Sequence, residues 1–325
     1  MSRFLFGPVP SRRFGRSLGI DLSPEIKRCN FDCLYCELEG SRPVKNYQEI
    51  GGKTPVPAEI LGELETSLPL YPNLDVVTIT ANGEPTLYPY LEEIVEGVEK
   101  LKTSAHRQGE KWKSLILSNG SRIGKEKIRQ TLKKLDIVKL SLDTANPKTF
   151  KKLDRPVKEV KLEEIIAGME KFRSIYRGEL IVEILVVKGL NDTKEEFRQL
   201  GKVLSSISPD RVDISTIDRP PAYRVEPVPE EKLRELADEL GNLPIYIPSR
   251  RAKNLNPSPI FPNLDRESLL ETLRRRPLTG EDLTLFPSQT QILFSQLERE
   301  GKICQKKVGN LIFYYSLEEE KSPKR

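Results

Sequence analysis

From about residue 75 to residue 217 of this 325-residue chain, short β-branched runs alternate with segments of helical period, and this alternation restricts the possible folds most. The first run, residues 75–80, stops at Ala81-Asn-Gly-Glu-Pro85. It is followed by Leu91, Ile94, Val95, Val98 and Leu101, whose offsets of three and four make one apolar stripe. The same order continues through residues 115–117, a helix near 123–135, a run at 137–143 and a helix carrying Leu162, Ile165, Ile166, Met169 and Phe172. A run at 180–187, a helix near 194–206 and a run at 212–217 complete it. Strand and helix in rotation imply parallel strands joined by crossover helices, hence an open α/β sheet or a barrel. In either, ligands gather at the carboxyl ends of the strands. Weaker strand signals lie at 17–22 and 244–247.

After residue 247 the pattern changes. A Pro- and Asn-rich stretch at 248–266 reads as a linker between a core of residues 1–247 and a small domain of residues 267–325. In that tail a helix near 267–276 precedes Leu278-Thr-Gly-Glu-Asp282, where Thr279 offers an N-cap. Ser288 opens another helix, and two apolar strands, 303–308 and 311–317, flank Gly309-Asn310. Three helices and a terminal hairpin suggest a winged-helix-like domain. Arg274-Arg-Arg276 and Lys306-Lys307 would give it basic patches, although ten Lys or Arg stand against nine Asp or Glu from Glu267 onward. RNA or a protein is the expected partner of this tail.

Apolar residues make up 37% and charged residues 31%, with a net charge of +5, which excludes a disordered or strongly polybasic chain. No run approaches the roughly 18 apolar residues of a membrane span, so a cytoplasmic protein without membrane contact is expected. Three of the four cysteines, Cys29, Cys33 and Cys36, crowd into eight residues, while Cys304 stands apart. Three adjacent thiols suit soft-metal ligation better than disulfide pairing. The only histidine, His106, is expected on a polar surface loop. A zinc loop completed by Cys304 or water is the competing reading, but zinc sites usually pair cysteines as C-x2-C. Cys304 itself reads as a buried structural thiol.

The Cys-x3-Cys-x2-Cys loop, with Tyr35 just before its last cysteine, resembles that of the radical S-adenosylmethionine (radical SAM) superfamily. The N-terminal run Phe6–Ser17, the segment Lys27–Cys36 and Val187-Lys-Gly-Leu-Asn-Asp192 resemble a subgroup of Fe-S oxidoreductases related to tRNA wyosine-type base synthetases. The resemblance implies a partial (β/α)6 barrel, with Cys29, Cys33 and Cys36 holding a [4Fe-4S] cluster and one iron left to S-adenosylmethionine. Gly83 and Glu84 of Asn82-Gly-Glu-Pro-Thr86 match the element that holds the methionine amino group; Ser118 would meet the methionine carboxylate. Ser141 and Asp143 would lie near ribose or carboxylate, Ile217 against adenine, and Tyr35 beside cluster or adenine. Glu183, a carboxylate in an apolar strand, is a further cofactor-binding candidate. Lys139, Ser141 and Asp143 share one face by the period of two.

The implied reaction is reductive cleavage of S-adenosylmethionine to a 5'-deoxyadenosyl radical that takes hydrogen from a substrate, RNA being one candidate. A one-electron donor such as flavodoxin or ferredoxin would feed it. The competing reading is a non-enzymatic iron-sulfur or zinc redox-sensing regulator that binds nucleic acid through the tail. Arg12, Arg13 and Arg16 fit either phosphate contact or a solvated basic arm.

Overall fold

The computed structural model describes residues 3–38, 40–248, 263–308 and 311–317. Eight strands form one sheet in sequential order: β1 (Leu5–Ser11), β2 (Gly15–Asp21), β3 (Val76–Thr80), β4 (Lys113–Ser118), β5 (Ile137–Ser141), β6 (Glu179–Val186), β7 (Arg211–Thr216) and β8 (Ile245–Tyr246). Only β1 and β2 are antiparallel; every later neighbour is parallel. Between strands run α1 (Pro57–Ser67), α2 (Leu91–Arg107), α3 (Glu126–Leu132), α4 (Pro147–Leu153), α5 (Leu162–Ile175), α6 (Lys194–Ile207) and α7 (Glu230–Ala237). Parallel strands laid down in sequence by crossovers of one hand carry their helices on one face. Accordingly Val77, Ile79, Ile116, Val138, Leu140, Val182, Ile184 and Ile214 share a core with the helices.

The other face takes the alternate residues and is covered from within. Near the start of the strands, Val76, Leu115, Ile137 and Ile181 close around Phe14 of the β1–β2 turn. One layer further, Lys139 Nζ lies 2.9 Å from Glu183 and 3.2 Å from Asp213, and Arg13 reaches Glu183 at 2.7 Å. The hairpin tip thus bridges strands from opposite ends of the sheet, and Tyr246 donates to the Arg12 carbonyl at 3.2 Å. A mostly parallel sheet curled this way agrees with the expected α/β class and with a partial barrel. No described helix is long and apolar enough to cross a membrane.

The remaining described residues form α8 (Arg266–Arg275), β9 (Leu278–Thr279), α9 (Gly280–Thr284), α10 (Ser288–Arg299), β10 (Ile303–Val308) and β11 (Leu311–Ser316), the strands ordered β10-β11-β9. They have their own core of Leu269, Leu273, Leu278, Phe286 and Leu297. Thr279 caps α9 in a reciprocal box with Asp282. Most of the expected linker and the Gly309-Asn310 turn lie outside the described residues. Two expectations need correction. His106 is exposed as expected but belongs to the last turn of α2 and not to a loop, its ring meeting Trp112, and Cys304 is only part-buried, opposite Tyr315 on an edge strand.

Candidate active site at the carboxyl ends of the strands

The cysteine loop follows β2 and is fastened to the end of β3, the end of α4 and the segment beyond β7. On one side Arg28 and Gly83 form an isolated parallel bridge: Arg28 N donates to Asn82 O at 2.9 Å and Glu84 N to Arg28 O at 2.8 Å. Gly83 has φ +125°, and a Cβ there would stand 2.0 Å from Arg28 O, so only glycine allows the approach. The Arg28 side chain is buried, stacks 4.4 Å from the Tyr47 ring centre and donates to the carbonyls of Tyr47 and Gly51, each at 2.9 Å. On the other side Asp32 N donates to Asp154 O at 3.1 Å, and Leu34 N to Leu153 O at 2.9 Å. From beyond β7, Ala222 N donates to Cys36 O at 2.8 Å and Tyr223 donates its hydroxyl to Asp32 at 2.9 Å. Arg155 pairs with the same Asp32 and stacks on Tyr223.

Polar donors surround the sulfurs. The Phe31 amide and Asn119 Nδ2 approach Cys29 Sγ at 3.4 and 3.7 Å, and Lys27 Nζ approaches Cys36 Sγ at 3.4 Å. Burial, then Glu84, pushes the Cys29 thiol up to about 12, and burial with Asp154 raises Cys33. Ionisation of these thiols therefore has to be driven by metal binding. Three thiols, two of them with hydrogen-bond donors aimed at sulfur and the third, Cys33, donating to Asp154 Oδ1 at 3.5 Å, fit the donor set of an iron-sulfur cluster. Among the described residues no three His, Cys, Asp or Glu side chains converge on one ion-sized point. A cubane, whose ligands each bind a different iron, does not require that.

Glu84 ties β3 to β4. Its Oε1 accepts from Thr86 N at 2.9 Å, Thr86 Oγ1 at 2.6 Å and Ser118 Oγ at 2.7 Å, and its Oε2 from Asn119 N at 2.7 Å. At most one lone pair, on Oε2, is left for an incoming ammonium. Ser118 spends its proton on Glu84 and accepts from Gly120 N at 3.1 Å. Burial raises the Glu84 carboxyl above its ordinary range despite these donors.

Tyr35, Asn119, Ser141, Asp143 and Asp154 line a cavity of about 10 Å³, room for a single water. The Tyr35 hydroxyl donates to Asp143, and lies 3.3 Å from Asp154; Leu185 N donates to Asp143 Oδ1 at 2.7 Å. Burial lifts Asp143 to about 6, and burial with its neighbour Asp143 raises Asp154 well above the usual carboxylate range. Ile217 packs with Leu153 and Val187 against Tyr35. Glu183 sits deeper: burial works against its charge, but Arg13 and Lys139 hold it down at about 2. It belongs to the ionic layer beneath the site. Sequence reading missed Asn30, Asn119, Asp154 and Asn191; the last donates to Asp143 O and Leu185 O at 2.9 Å and stitches β5 to β6.

Comparison with known proteins bears on this geometry. The model of the radical SAM superfamily matches residues 26–201. A UPF0026 protein of Helicobacter pylori (strain J99) is 38% identical over 95% of this chain and 96% of its own length. A probable GTP 3',8-cyclase of Thermococcus kodakarensis is 30% identical, covering 70% of this chain and 69% of that one. A radical SAM methyltransferase from Sphaerobacter thermophilus shares the fold with a TM-score of 0.54 at 14% identity, over 71% of this chain and 65% of that one. With Cys29, Cys33 and Cys36 at the carboxyl ends of a curled parallel sheet, the matches make this chain a member of the radical SAM superfamily and a relative of the UPF0026 proteins.

Proposed function

We propose that Cys29, Cys33 and Cys36 hold a [4Fe-4S] cluster with one iron open to S-adenosylmethionine, and that the enzyme uses the pair to take hydrogen from a phosphate-bearing nucleoside, free or within RNA. The observation that carries this is the one loop of three part-buried thiols, fastened to the ends of β3 and α4 and to the segment beyond β7, with Asn119 beside Cys29 and Asp154 beside Cys33. When bound and reduced, the cluster supplies the electron that cleaves S-adenosylmethionine to a 5'-deoxyadenosyl radical. The chain's own residues do the rest. Gly83 lets the loop lie against β3, and Glu84 holds the Ser118 and Asn119 ends in register with one lone pair to spare for the methionine ammonium. Ser141 and Asp143 stand on the side where ribose hydroxyls would bond. Tyr35 and Ile217 offer an apolar wall for adenine that keeps water out.

The relatives named as probable GTP 3',8-cyclases support the nucleotide part of the reading. Membership of an enzyme superfamily leaves the non-enzymatic regulator without support. The order helix, strand, two helices, hairpin supports a winged-helix-like C-terminal unit that docks RNA or protein. A flavodoxin or ferredoxin in a reducing cytoplasm is the electron source we propose. The test is anaerobic reconstitution with iron and sulfide, then S-adenosylmethionine and dithionite. Release of 5'-deoxyadenosine that disappears in Cys33→Ala is expected; release unchanged in that variant, or none from the wild type, rejects the reading.

A further inference from the structure

The positive charge of the chain is gathered in two segments that flank one cleft. Residues 121–134 hold six Lys or Arg against Glu126 alone, and residues 148–161 hold six against Asp154 and Glu159, so the remainder of a chain whose net charge is +5 is acidic. Carboxylates cover some of these cations: Lys127 and Lys134 pair with Glu92, Arg129 with Glu126, and Arg155 with Asp32. Arg122, Lys125, Lys148, Lys151, Lys152 and Lys158 have no carboxylate within 4.0 Å among the described residues. The five lysines are exposed, and Arg122 donates to Thr86 O at 3.0 Å.

The cleft, of about 430 Å³, has Arg122 and Lys125 on one side, Val157 and Val160 on the other, and Lys171 of α5 and Asn30 between them. The acids in its wall are taken: Glu159 pairs with Lys45 at 2.6 Å, and Glu164 lies 3.8 Å from Lys161. Asn30 is buried and follows Cys29 directly. Its Oδ1 accepts from Ser121 Oγ at 3.1 Å and from Asn119 Nδ2 at 3.0 Å, the same amide that approaches Cys29 Sγ. The second segment is pinned along the cysteine loop: Val157 N donates to Asn30 O at 2.9 Å, and the end of α4, whose last turn carries Lys151 and Lys152, pairs with Asp32 and Leu34. The cleft therefore ends one residue from a cluster ligand. A solvated lysine by itself points to no partner. Six cations without carboxylates, set beside a cleft that reaches the cysteine loop, make a field that draws in an anionic surface.

We infer that this face is the docking surface for a small acidic protein that brings one electron to the cluster. The inference deepens the function proposed above and rests on it for the cluster. An electron carrier needs only to come close to a cluster ligand, whereas an RNA substrate has to present its reacting carbon to the inner face of the sheet. Leu140 of β5 packs with the helices, so its neighbour Ser141 turns to the inner face, while the cleft borders α5 on the helix side. A donor seated there leaves the inner face free for substrate. In the transfer the donor's reduced flavin or iron-sulfur centre loses one electron and the oxidised cluster gains it; no bond forms or breaks, and no proton passes between the two.

The full-length protein, reconstituted anaerobically, is tested with a flavodoxin and a [2Fe-2S] ferredoxin, both of net negative charge, at low and high salt. Calorimetry reads the affinity for the oxidised donor, and absorbance reads the rate at which the reduced donor passes its electron to the cluster. For at least one donor both are expected to fall with salt. The double variants Lys125→Glu with Lys158→Glu and Lys151→Glu with Lys152→Glu should each weaken binding and slow transfer about tenfold at low salt, the difference shrinking at high salt. Reduction of the cluster by dithionite, which needs no docking, should change little in either. Lys306→Glu with Lys307→Glu alters the net charge equally from the C-terminal hairpin and should leave both readings at the wild-type level. An equal loss in that control, wild-type readings in both of the other variants, or no salt-dependent binding of either donor overturns the inference. A short single-stranded RNA is titrated in parallel: RNA affinity lost in the two variants while donor affinity stays whole also overturns it and makes the face a nucleic-acid surface. Release of 5'-deoxyadenosine is measured separately. Its absence alongside variant-sensitive electron transfer removes the radical chemistry and leaves the docking surface standing.

Discussion

Gly83 shows how one backbone position sets the site. Any side chain there would press on Arg28 O and force a left-handed conformation on an L-residue, so Gly83→Ala should cost about 2 kcal/mol or more. The expected outcome is a lower melting temperature together with loss of bound iron; a variant with wild-type iron content contradicts the close approach. Asp143 offers a test by pH. Its folded pKa of about 6 lies above that of an ordinary carboxyl, so its contribution to stability is full below about pH 4 and lost as the pH rises through 6. Asp143→Asn should therefore gain on the wild type in melting temperature between pH 4 and 7, measured without the cluster. A difference independent of pH would contradict the assignment. The cysteines were singled out by their spacing, and Glu84, Ser118 and Asp143 by the resemblance of their segments to the radical SAM pattern; the structure sets Glu84 and Ser118 beside Arg28 of the cysteine loop and Asp143 beside Tyr35. Asn119 and Asp154 were not singled out: an asparagine after a strand and an aspartate after a helix read as ordinary turn residues, and only folding brings them to the sulfurs and to Tyr35.

Among the elements, the cysteine loop has little regular structure of its own and owes its shape to its fasteners. Tyr223 and Arg155 converge on Asp32 in the middle of it. Tyr223→Phe removes a charge-assisted hydrogen bond worth about 1.5–3 kcal/mol and should speed the loss of iron to a chelator several-fold. A chelation rate equal to wild type would show that the loop holds its shape without this clamp. The helices α2, α3, α5 and α6 were read from the sequence, whereas α1 and α7 were not, nor was α4, which buries only Phe150 and Leu153 and so shows too little of an apolar period. Its signal was local instead: Asn146 caps the helix by accepting from Lys148 N, and Pro147 occupies the first turn. The start of α9 was legible for the same kind of reason, Thr279 standing before an acidic first turn.

For the molecule as a whole, the N-terminal hairpin is the piece that sequence periodicity could not reveal. Its role is set by contacts far along the chain, with Glu183, Asp213 and Tyr246. The same holds for the arginines of α8, whose sequence suggested an exposed basic patch. Arg275 instead donates to Leu5 O at 3.0 Å and Arg3 O at 2.7 Å and faces Asp21, docking the C-terminal unit on β1, while Arg274 pairs with Glu271. Arg275→Ala leaves the buried Asp21 without its counter-charge and should destabilise the protein by about 2 kcal/mol or more, with faster amide exchange along β1. Unchanged exchange there would mean that the two units are not coupled through this contact.

The central claim concerns the cluster and its open iron. Mössbauer spectroscopy of protein reconstituted with 57Fe, recorded before and after adding S-adenosylmethionine, tests it most directly. The account predicts a [4Fe-4S] spectrum in which one iron site changes on addition while the three cysteine-bound sites stay as they were. Four unchanged sites, or a preparation that takes up zinc and no iron, would contradict it.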